Sequence, residues 1–362
     1  MDDAALMRRA LRLARRGWGW TAPNPMVGAV VVRDGEIVGE GWHARYGGAH
    51  AEVAALADAG DAARGATVYV TLEPCNHHGK TPPCTEALIA AGVRRVVAAV
   101  ADPSPVAGGG AARLRAHGID VVVGVEERAA RELNAPFFHA LLSDRPWVTL
   151  KLALSLDGAI ADHTRRPGWL TGPRARREVH RLRAGHDAVA VGIGTALADD
   201  PALTVRAAPA PRLPPLRVVF DRAARLTEDA AVVRTASDVP TALVVAPGAP
   251  RERLERLASH GVRIVPAAVL DEALRALRAE FAVRSLLVEG GAGLASALWS
   301  AGLLDRLITF QSPVVLGHGA LAAFGEAPGA RAESARRLPV VARRPLGDDL
   351  MTVYAVHTLE TR

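Results

Sequence analysis

The sequence is poor in cysteine, lysine and aromatic residues. Its 362 residues include 2 Cys, and Phe, Trp and Tyr together make up 4%. Cys75 and Cys84 alone cannot form the disulfide framework of a small secreted protein, so they favour a metal-binding or catalytic role. Of the 44 Lys and Arg residues, only Lys80 and Lys151 are lysines.

Long hydrophobic runs are absent as well. No apolar run approaches the roughly 20 residues that a membrane-spanning helix requires. The N-terminal segment, MDDAALMRRALRLARR, lacks the apolar centre of a signal peptide, and Asp2 and Asp3 do not suit an organellar transit peptide. We therefore expect a cytoplasmic protein with no membrane partner.

The excess of positive charge lies in one part of the chain. Residues 1–145 carry 16 cationic and 16 anionic side chains, whereas residues 146–362 carry 28 and 22, so the net charge of +6 belongs to the second part. A nucleic-acid-binding protein concentrates a basic face near its chemistry. The balanced first part therefore predicts no nucleic-acid partner.

Length and composition indicate two folded domains. Hydrophobic residues make up 49% and charged residues 23% of the chain, which is ample for packed cores. Helical and strand-like patterns alternate throughout, which is typical of the α/β class. We predict a boundary near residue 145, with domains at 1–145 and 146–362. Residues 126–144 read as helical or linking, and the pattern beyond about residue 320 predicts nothing specific.

The strongest motif combines one histidine, one glutamate and two cysteines. His50, Cys75 and Cys84 are three good zinc ligands, and three protein ligands leave a fourth position for water. Zinc lowers the pKa of such a water towards neutrality. Glu52 lies about 200° further round a helix from His50, which suits a proton carrier better than a ligand. A His-x-Glu followed by Pro-Cys is typical of zinc-dependent nucleobase deaminases, although the two cysteines here are separated by eight residues and not by two.

A structural zinc site is the alternative interpretation. It would require a fourth protein ligand, which His77 or His78 could supply. That interpretation leaves Glu52 without a role. A non-catalytic, zinc-stabilised binding module therefore remains a second hypothesis.

Three segments carry a resemblance to a known family. The runs PNPMVGAVVV, HAEVAAL and TLEPCNHHGKTPPC resemble the deaminase domain of the bifunctional riboflavin-biosynthesis deaminase/reductases. The resemblance implies a cytidine-deaminase-like three-layer α/β/α fold with one Zn²⁺ per chain. It also implies that Glu52 is catalytic and that Asn24, His43 and Lys80 contact a phosphorylated pyrimidine ribosylamine. The family's DPNP loop reads Asp-Pro-Ser-Pro here, with Ser104 in place of Asn.

The second half resembles the reductase domain of the same family, a relative of dihydrofolate reductase in fold. The matching runs are LKLALSLDGAI, LRAGHDAVAVGIGTALADDPALTVR and LLVEGGAGLASAL. The resemblance implies NADPH contacts from Ala153, Trp169, Thr195, Asp199, Gly291, Ala292, Gly293, Leu294, Ala295, Ser296 and Ala297. It implies substrate contacts from Arg183, Leu203, Arg206 and Glu289. We add two candidate substrate-site residues, Lys151 as a polar partner of the substrate and Pro167 at a position where the family commonly has a serine.

One further feature of these reductase motifs follows from the residues, and another from comparison with the family. Glycines at 290, 291 and 293 would let backbone amides approach a phosphate at the start of a helix. Pro167 replaces a serine of the family and removes a hydroxyl and an N–H; Arg165 or Arg166 could take over that phosphate contact.

The resemblance implies a bifunctional enzyme and a homo-oligomer, dimeric or tetrameric. The first domain would remove the 2-amino group of 2,5-diamino-6-(5-phosphoribosylamino)pyrimidin-4-one by hydrolysis, and the second would reduce the ribosyl group with NADPH. The alternative is a deaminase of another nucleobase with an accessory or inactive C-terminal domain.

Overall fold

The chain forms two compact units, Met1–Leu142 and Ser143–Arg362, each built around its own β-sheet. The structure is a computed structural model that describes residues 2–79, 81–166 and 168–357. Two predicted site residues, Lys80 and Pro167, lie outside these ranges. Within them, no helix has both the length and the apolar character needed to cross a membrane.

The first unit contains a five-stranded sheet. Its strands are β1 (Gly28–Arg33), β2 (Glu36–Trp42), β3 (Thr67–Val70), β4 (Arg95–Ala98) and β5 (Asp120–Val123). Their order in the sheet is β2-β1-β3-β4-β5. β1 is antiparallel to β2 and β3, and β3, β4 and β5 are parallel to one another.

Helices cover both faces of this sheet and complete three layers. They are α1 (Asp3–Ala14), α2 (Ala51–Ala59), α3 (Cys84–Ala91), α4 (Gly110–Ala116), α5 (Glu127–Leu133) and α6 (Ala135–Leu142), with short 3₁₀ turns at Arg15–Gly17 and Gly60–Ala63. One apolar core joins the sheet to α1, α5 and α6, and a second joins the opposite face to α2, α3 and α4.

Glycines in β2 let helix α2 approach the sheet closely. A Cβ atom on Gly39 would lie 2.5 Å from the carbonyl oxygen of Ala55, and one on Gly41 would also collide with the α2 backbone. Only glycine fits such a contact without moving the helix. The small residues of β2 and α2 therefore fix the start of α2, where His50 and Glu52 lie.

The second unit contains a nine-stranded sheet. Its strands are β6 (Trp147–Leu154), β8 (Ala188–Gly192), β9 (Leu216–Phe220), β10 (Thr241–Val245), β11 (Arg263–Pro266), β12 (Ser285–Glu289), β13 (Arg306–Gln311), β15 (Val340–Leu346) and β16 (Asp349–Ala355). Their order is β11-β10-β9-β8-β12-β6-β13-β16-β15. Strands from β11 to β13 in this order are parallel, and β16 and β15 add antiparallel pairs at one edge. A separate two-stranded pair joins β7 (Ala159–Ala161) and β14 (Leu321–Ala322).

Helices pack on both faces of the second sheet as well. They are α7 (Pro173–Ala184), α8 (Ile193–Asp199), α9 (Ala231–Arg234), α10 (Arg251–Ser259), α11 (Leu270–Phe281) and α12 (Ala292–Ser300). Helices α11 and α12 share one apolar core with the sheet, whereas α7 to α10 pack on the opposite face. Because β6, β8, β9 and β12 are parallel, the residues that come after them meet at one edge of the sheet.

Candidate active sites

The predicted zinc ligands converge in the first unit. His50 precedes the first residue of α2, Cys84 begins α3, and Cys75 lies in the loop after β3. The Nδ1 atom of His50 lies 3.2 Å from the Sγ atom of Cys84 and 3.5 Å from that of Cys75. All three ligand atoms lie within 4.8 Å of one another.

This triangle fits a zinc ion. With bonds of about 2.1 Å to nitrogen and 2.3 Å to sulfur, tetrahedral coordination separates such ligand atoms by about 3.5 Å. The two thiols already compete for one proton: hydrogen bonding to Cys84 lowers the pKa of Cys75 to about 4, and the same pairing raises that of Cys84. A thiolate next to an imidazole is the donor chemistry that Zn²⁺ prefers.

Glu52 lies beside the ligands without joining their triangle. Its side chain is 3% exposed, and its carboxyl group interacts with the Cys84 thiol and with the charge on His50. Burial raises the pKa of Glu52 to about 6. A carboxyl group of this kind can take up and release a proton near neutral pH.

Asn24 and His43 form a polar pair next to His50. The Nδ1 atom of His43 lies 3.0 Å from the carbonyl oxygen of Ala49, so Nδ1 carries the proton and Nε2 accepts a hydrogen bond from Asn24 Nδ2 at 3.2 Å. The rings of His43 and His50 meet edge to face, with centroids 5.4 Å apart. Two of the three predicted pyrimidine contacts therefore lie together, and the third, Lys80, is outside the described residues.

Glu73 is a supporting residue that sequence reasoning missed. It is 7% exposed, and its carboxylate accepts hydrogen bonds from the backbone N–H groups of Asp102 and Ala111. These bonds hold the Asp102–Ala111 loop against the segment that carries Cys75. Its place in the run TLEPC, two positions before the first cysteine, was the available signal.

The loop after β4 also shows what Ser104 does. Its hydroxyl accepts hydrogen bonds from the backbone N–H groups of Val106 and Ala107, so it caps its own turn. The opposite loop is tied down by Asn76, whose Oδ1 atom accepts from Thr85 and from Arg113. These bonds explain how both loops keep their shape around the ligands.

The second unit contains a cavity of about 1550 Å³ at the ends of its parallel strands. It is large enough for a dinucleotide together with a second ligand, since drug-sized sites occupy about 300–1,000 Å³. The predicted residues that line it are Lys151, Ala153, Trp169, Arg183, Thr195, Asp199, Leu203, Arg206, Glu289, Gly291, Ala292, Gly293, Leu294 and Ala297.

Two residues predicted to contact NADPH face elsewhere. Ala295 belongs to the apolar core that α12 shares with the sheet, and Ser296 is 2% exposed with its hydroxyl turned inward. Neither lines the cavity. Because successive side chains of a helix point to different faces, the side chains of the run 291–297 do not all face the cavity.

Charged side chains meet at the floor of the cavity. The Nε atom of Arg183 donates to Oε1 of Glu289 at 2.5 Å, its Nη2 donates to Oε2 at 2.9 Å, and its Nη1 donates to the carbonyl of Thr204. The Nζ atom of Lys151 lies 3.9 Å from the same carboxylate. All three nitrogens of Arg183 are thus occupied within the protein, although the sequence predicted a substrate contact.

The charges set the protonation of this cluster. Burial alone would raise the pKa of Glu289, but Arg183 and Lys151 together hold it below its ordinary value. Burial lowers the pKa of Lys151, and Glu289 offsets part of that effect. Burial likewise raises the pKa of Asp199, with Lys151 opposing it. Glu289 therefore stays a carboxylate, and it lies in the same cavity as Lys151 and Asp199, whose pKa values are shifted by burial.

The glycine-rich turn fits a phosphate group. Gly291 has a φ of 87° and precedes α12, and a Cβ atom there would lie 3.0 Å from Thr195 Oγ1. A side chain would therefore fill the space in front of the helix N-terminus, where backbone N–H groups favour an anion. Nearby, Trp169 is 77% exposed and the guanidinium of Arg176 lies 5.1 Å from the centre of its ring.

Comparisons with known proteins match both units of the chain. Residues 146–343 match the family described as the RibD C-terminal domain, and residues 1–100 match the cytidine and deoxycytidylate deaminase zinc-binding region. The chain is 43% identical over 320 residues to "Riboflavin biosynthesis protein RibD" of Aquifex aeolicus, which covers 88% of each protein.

Two solved structures cover 98% of this chain and 98% of their own. One is Acinetobacter baumannii RibD, form 1, at 38% identity and a TM-score of 0.84. The other is a diaminohydroxyphosphoribosylaminopyrimidine deaminase/5-amino-6-(5-phosphoribosylamino)uracil reductase from Thermotoga maritima, at 36% identity and a TM-score of 0.84.

These matches confirm the predicted α/β fold, cytidine-deaminase-like in the first unit and dihydrofolate-reductase-like in the second. They also confirm the two activities and the two cofactors, Zn²⁺ and NADPH, and they do not favour a deaminase with an inactive second domain. The chain belongs to the RibD family of bifunctional riboflavin-biosynthesis deaminase/reductases.

Proposed function

We propose that residues 1–145 form the deaminase domain and residues 146–362 the reductase domain, acting in that order. The first removes the 2-amino group of 2,5-diamino-6-(5-phosphoribosylamino)pyrimidin-4-one, and the second reduces the ribosyl group to give 5-amino-6-(5-phosphoribitylamino)uracil. The proposal rests above all on Glu52, a buried carboxyl group beside three convergent metal ligands.

In the deaminase domain, His50, Cys75 and Cys84 would hold the zinc ion. Zinc supplies the Lewis acidity that makes water a nucleophile near neutral pH. Glu52 takes a proton from the attacking water as the C–O bond forms at the amine-bearing ring carbon. It then delivers that proton to the amino nitrogen, the C–N bond breaks and ammonia leaves. The carboxylate is regenerated at the end of the cycle.

Asn24 and His43 orient the pyrimidine. Their mutual hydrogen bond leaves the Asn24 carbonyl oxygen as an acceptor for substrate polar groups. Lys80 supplies a cation to the phosphorylated part of the substrate. A compact ammonium is not interchangeable with a guanidinium fork, which agrees with a lysine at this position in a chain that otherwise uses arginine.

In the reductase domain, Glu289 acts on the sugar. NADPH supplies the hydride that reduces C1 of the open-chain imine. The Glu289 carboxylate stabilises the positive charge of the protonated imine, and Arg183 holds that carboxylate in one orientation. Lys151, beside the Arg183–Glu289 pair, donates to substrate oxygens from the cavity floor. Leu203 and Arg206 line the side where the ribosyl phosphate enters.

Ala153, Trp169, Thr195, Asp199 and the turn from Gly291 to Leu294 would hold NADPH, with Ala297 behind them. Arg165 or Arg166, both of which line the same cavity, takes over the phosphate contact of the serine that Pro167 replaces. We place the enzyme in the cytoplasm, as a homo-oligomer without nucleic-acid or membrane partners.

A coupled assay tests the proposal. The purified full chain receives the diaminopyrimidine ribosylamine phosphate, and ammonia release and NADPH oxidation are followed separately. We expect ammonia first and NADPH oxidation afterwards. Ammonia without NADPH oxidation would refute the reductase assignment. If zinc-loaded protein gives neither ammonia nor NADPH oxidation, the proposed substrate is wrong. Light scattering of the same sample measures the oligomeric state.

A further inference from the structure

The reductase cavity has a second cationic end, away from Lys151 and Glu289. Arg222 and Arg225 come after β9 and line the cavity together with apolar residues at the ends of β10 and β11. The reaction proposed above assigns no role to this end. A ligand assignment for Arg222 and Arg225 rests on the proposed function of the cavity as an NADPH site.

The order of the strands places this end relative to the reactive one. Along the sheet the strands run β9, β8, β12, β6, so Lys151 on β6 and Arg222 after β9 are three strand spacings apart, or about 14 Å. The turn at Gly291 comes after β12 and lies between them. A dinucleotide with its nicotinamide at Lys151 and its pyrophosphate at Gly291 extends its adenosine towards β9 and β10.

The residues at this end suit an adenosine. Val269 is 61% exposed and lies in the cavity wall beside Leu270. The Nη1 atom of Arg222 donates to the carbonyl oxygen of Ala268 at 2.8 Å, which holds the guanidinium next to this apolar surface. An exposed aliphatic surface with a neighbouring cation matches a purine base that carries a phosphorylated ribose.

Asp221 also lies at this end, and its accessibility indicates whether the cavity favours NADPH or NADH. An acidic residue at a strand end next to the adenosine ribose binds the 2′-hydroxyl in NAD-type sites, whereas an arginine nearby accepts the 2′-phosphate of NADP. Asp221 occupies such a position, but it is 1% exposed and its Oδ2 atom accepts from the backbone N–H of Leu226 at 2.8 Å. The exposed group is Arg225, whose Nε lies 4.0 Å from Asp221 Oδ1 and whose side chain is 58% exposed.

We infer that Arg222 and Arg225 bind the 2′-phosphate of NADPH and determine the preference of this enzyme for NADPH over NADH. Arg225 supplies an exposed guanidinium, and Arg222 supplies one anchored to Ala268. Two other cavity arginines are tied to the reactive end, because Arg183 pairs with Glu289 and both Arg183 and Arg206 donate to Thr204.

Binding of two adenine nucleotides tests this assignment without catalysis. Calorimetry on the full chain compares 2′,5′-ADP, which carries the 2′-phosphate, with 5′-ADP, which does not. The variants are R222Q, R225Q and the double variant. The control is R251Q, which removes one positive charge from a side chain that is 91% exposed on α10 and outside the cavity. Thermal melts check folding, and R225Q is the variant that removes no hydrogen bond to the backbone.

We expect the wild type and R251Q to bind 2′,5′-ADP at least tenfold more tightly than 5′-ADP. Each single substitution weakens the binding of 2′,5′-ADP by about 10- to 100-fold, because a hydrogen bond to a charged group is lost. The affinity for 5′-ADP stays within twofold of the wild-type value. An unchanged ratio in R225Q and the double variant overturns the inference, as does an equal loss for both nucleotides. Binding of neither probe to the wild type overturns the NADPH site itself, which separates the two failures.

Discussion

Arg183 and Glu289 form a two-point ion pair at the floor of the reductase cavity, with the Nε and Nη2 atoms of the guanidinium on the two carboxylate oxygens. The residues lie on α7 and at the end of β12, and their side chains are 11% and 9% exposed. A buried carboxylate held at both oxygens cannot rotate. The pair therefore fixes the direction in which Glu289 presents its charge to the substrate.

Replacing Arg183 by Met should disable the reductase and spare the deaminase. The substitution leaves a buried carboxylate with Lys151 as its remaining cation, which costs about 3–5 kcal/mol of unfolding free energy. We expect the turnover of NADPH to fall by at least about 100-fold. Urea unfolding and the separate ammonia and NADPH assays measure both effects. Arg177→Met, an exposed change on the same helix, is the control and should leave both rates unchanged.

The same variant should change the pH profile of reduction. Arg183 and Lys151 hold the pKa of Glu289 below its ordinary value, so the carboxylate stays ionised at moderately acid pH. Without Arg183, burial raises that pKa, and the acid limb of the kcat profile moves to higher pH. Arg183→Lys keeps the charge without the fork and should give an intermediate shift. An acid limb at the same pH in all three proteins contradicts the positioning role.

Replacing Glu52 by Gln should abolish deamination while zinc remains bound. Glutamine has nearly the same shape, but it cannot carry the proton from water to the amino nitrogen. We expect ammonia release to fall by at least about 10³-fold, with one zinc per chain by elemental analysis. NADPH oxidation with the deaminated intermediate should stay within twofold. Loss of zinc in this variant would show that Glu52 is a ligand instead. Glu36→Gln, an exposed change at the start of β2, is the matched control.

Much of the zinc site was predictable because its residues are close in sequence or fixed by a helix. His50 and Glu52 are two positions apart at the start of α2, and Cys84 begins α3 as the spacing indicated. The Arg183–Glu289 pair joins residues 106 positions apart, and no local pattern announces it. The sequence therefore predicted both as site residues but did not predict the ion pair between them.

The fold shows the same contrast between features set by local sequence and features set by long-range contacts. Residues 126–144 were expected to be helical or linking, and they form α5 and α6, separated at Asn134. The Asn134 side chain is buried and bonds to the backbone N–H and C=O of Met26, 108 positions away. Beyond residue 320, β15 exposes most of its residues, including Arg343 and Arg344, so it lacks the apolar alternation that indicates a strand. Pairing with β16, a tertiary effect, orders it.

Replacing Gly291 by Ala should weaken cofactor binding. The residue has a φ of 87°, and an added Cβ atom would press on Thr195 Oγ1 at 3.0 Å, so the turn must shift. Backbone strain of this kind costs about 1–3 kcal/mol. We expect NADPH to bind at least about tenfold less tightly, measured by fluorescence titration. Gly248→Ala, where an added Cβ atom meets nothing within 4 Å, should bind NADPH as the wild type does. Equal affinities of the two variants would rule out the turn as a phosphate cradle.

His186 should make the second unit less stable in acid. Its ring is enclosed, with Nδ1 donating to the carbonyl of Leu182 at 2.7 Å and Nε2 lying 3.3 Å from Thr149 Oγ1. Burial lowers the pKa of His186 below its ordinary value of 6.5. The unfolded chain therefore binds a proton near pH 6.5 that the folded chain does not, and the unfolding free energy falls as the pH drops below that point.

One proton corresponds to a slope of about 1.4 kcal/mol per pH unit. Urea unfolding between pH 7.5 and 5 should show this slope in the transition of the second unit. That transition is identified because NADPH shifts it to higher urea concentration. His186→Gln lowers stability at pH 7.5 and flattens this slope by up to one proton. If His186→Gln keeps the full slope, other groups cause the acid sensitivity and the buried neutral imidazole contributes nothing to it.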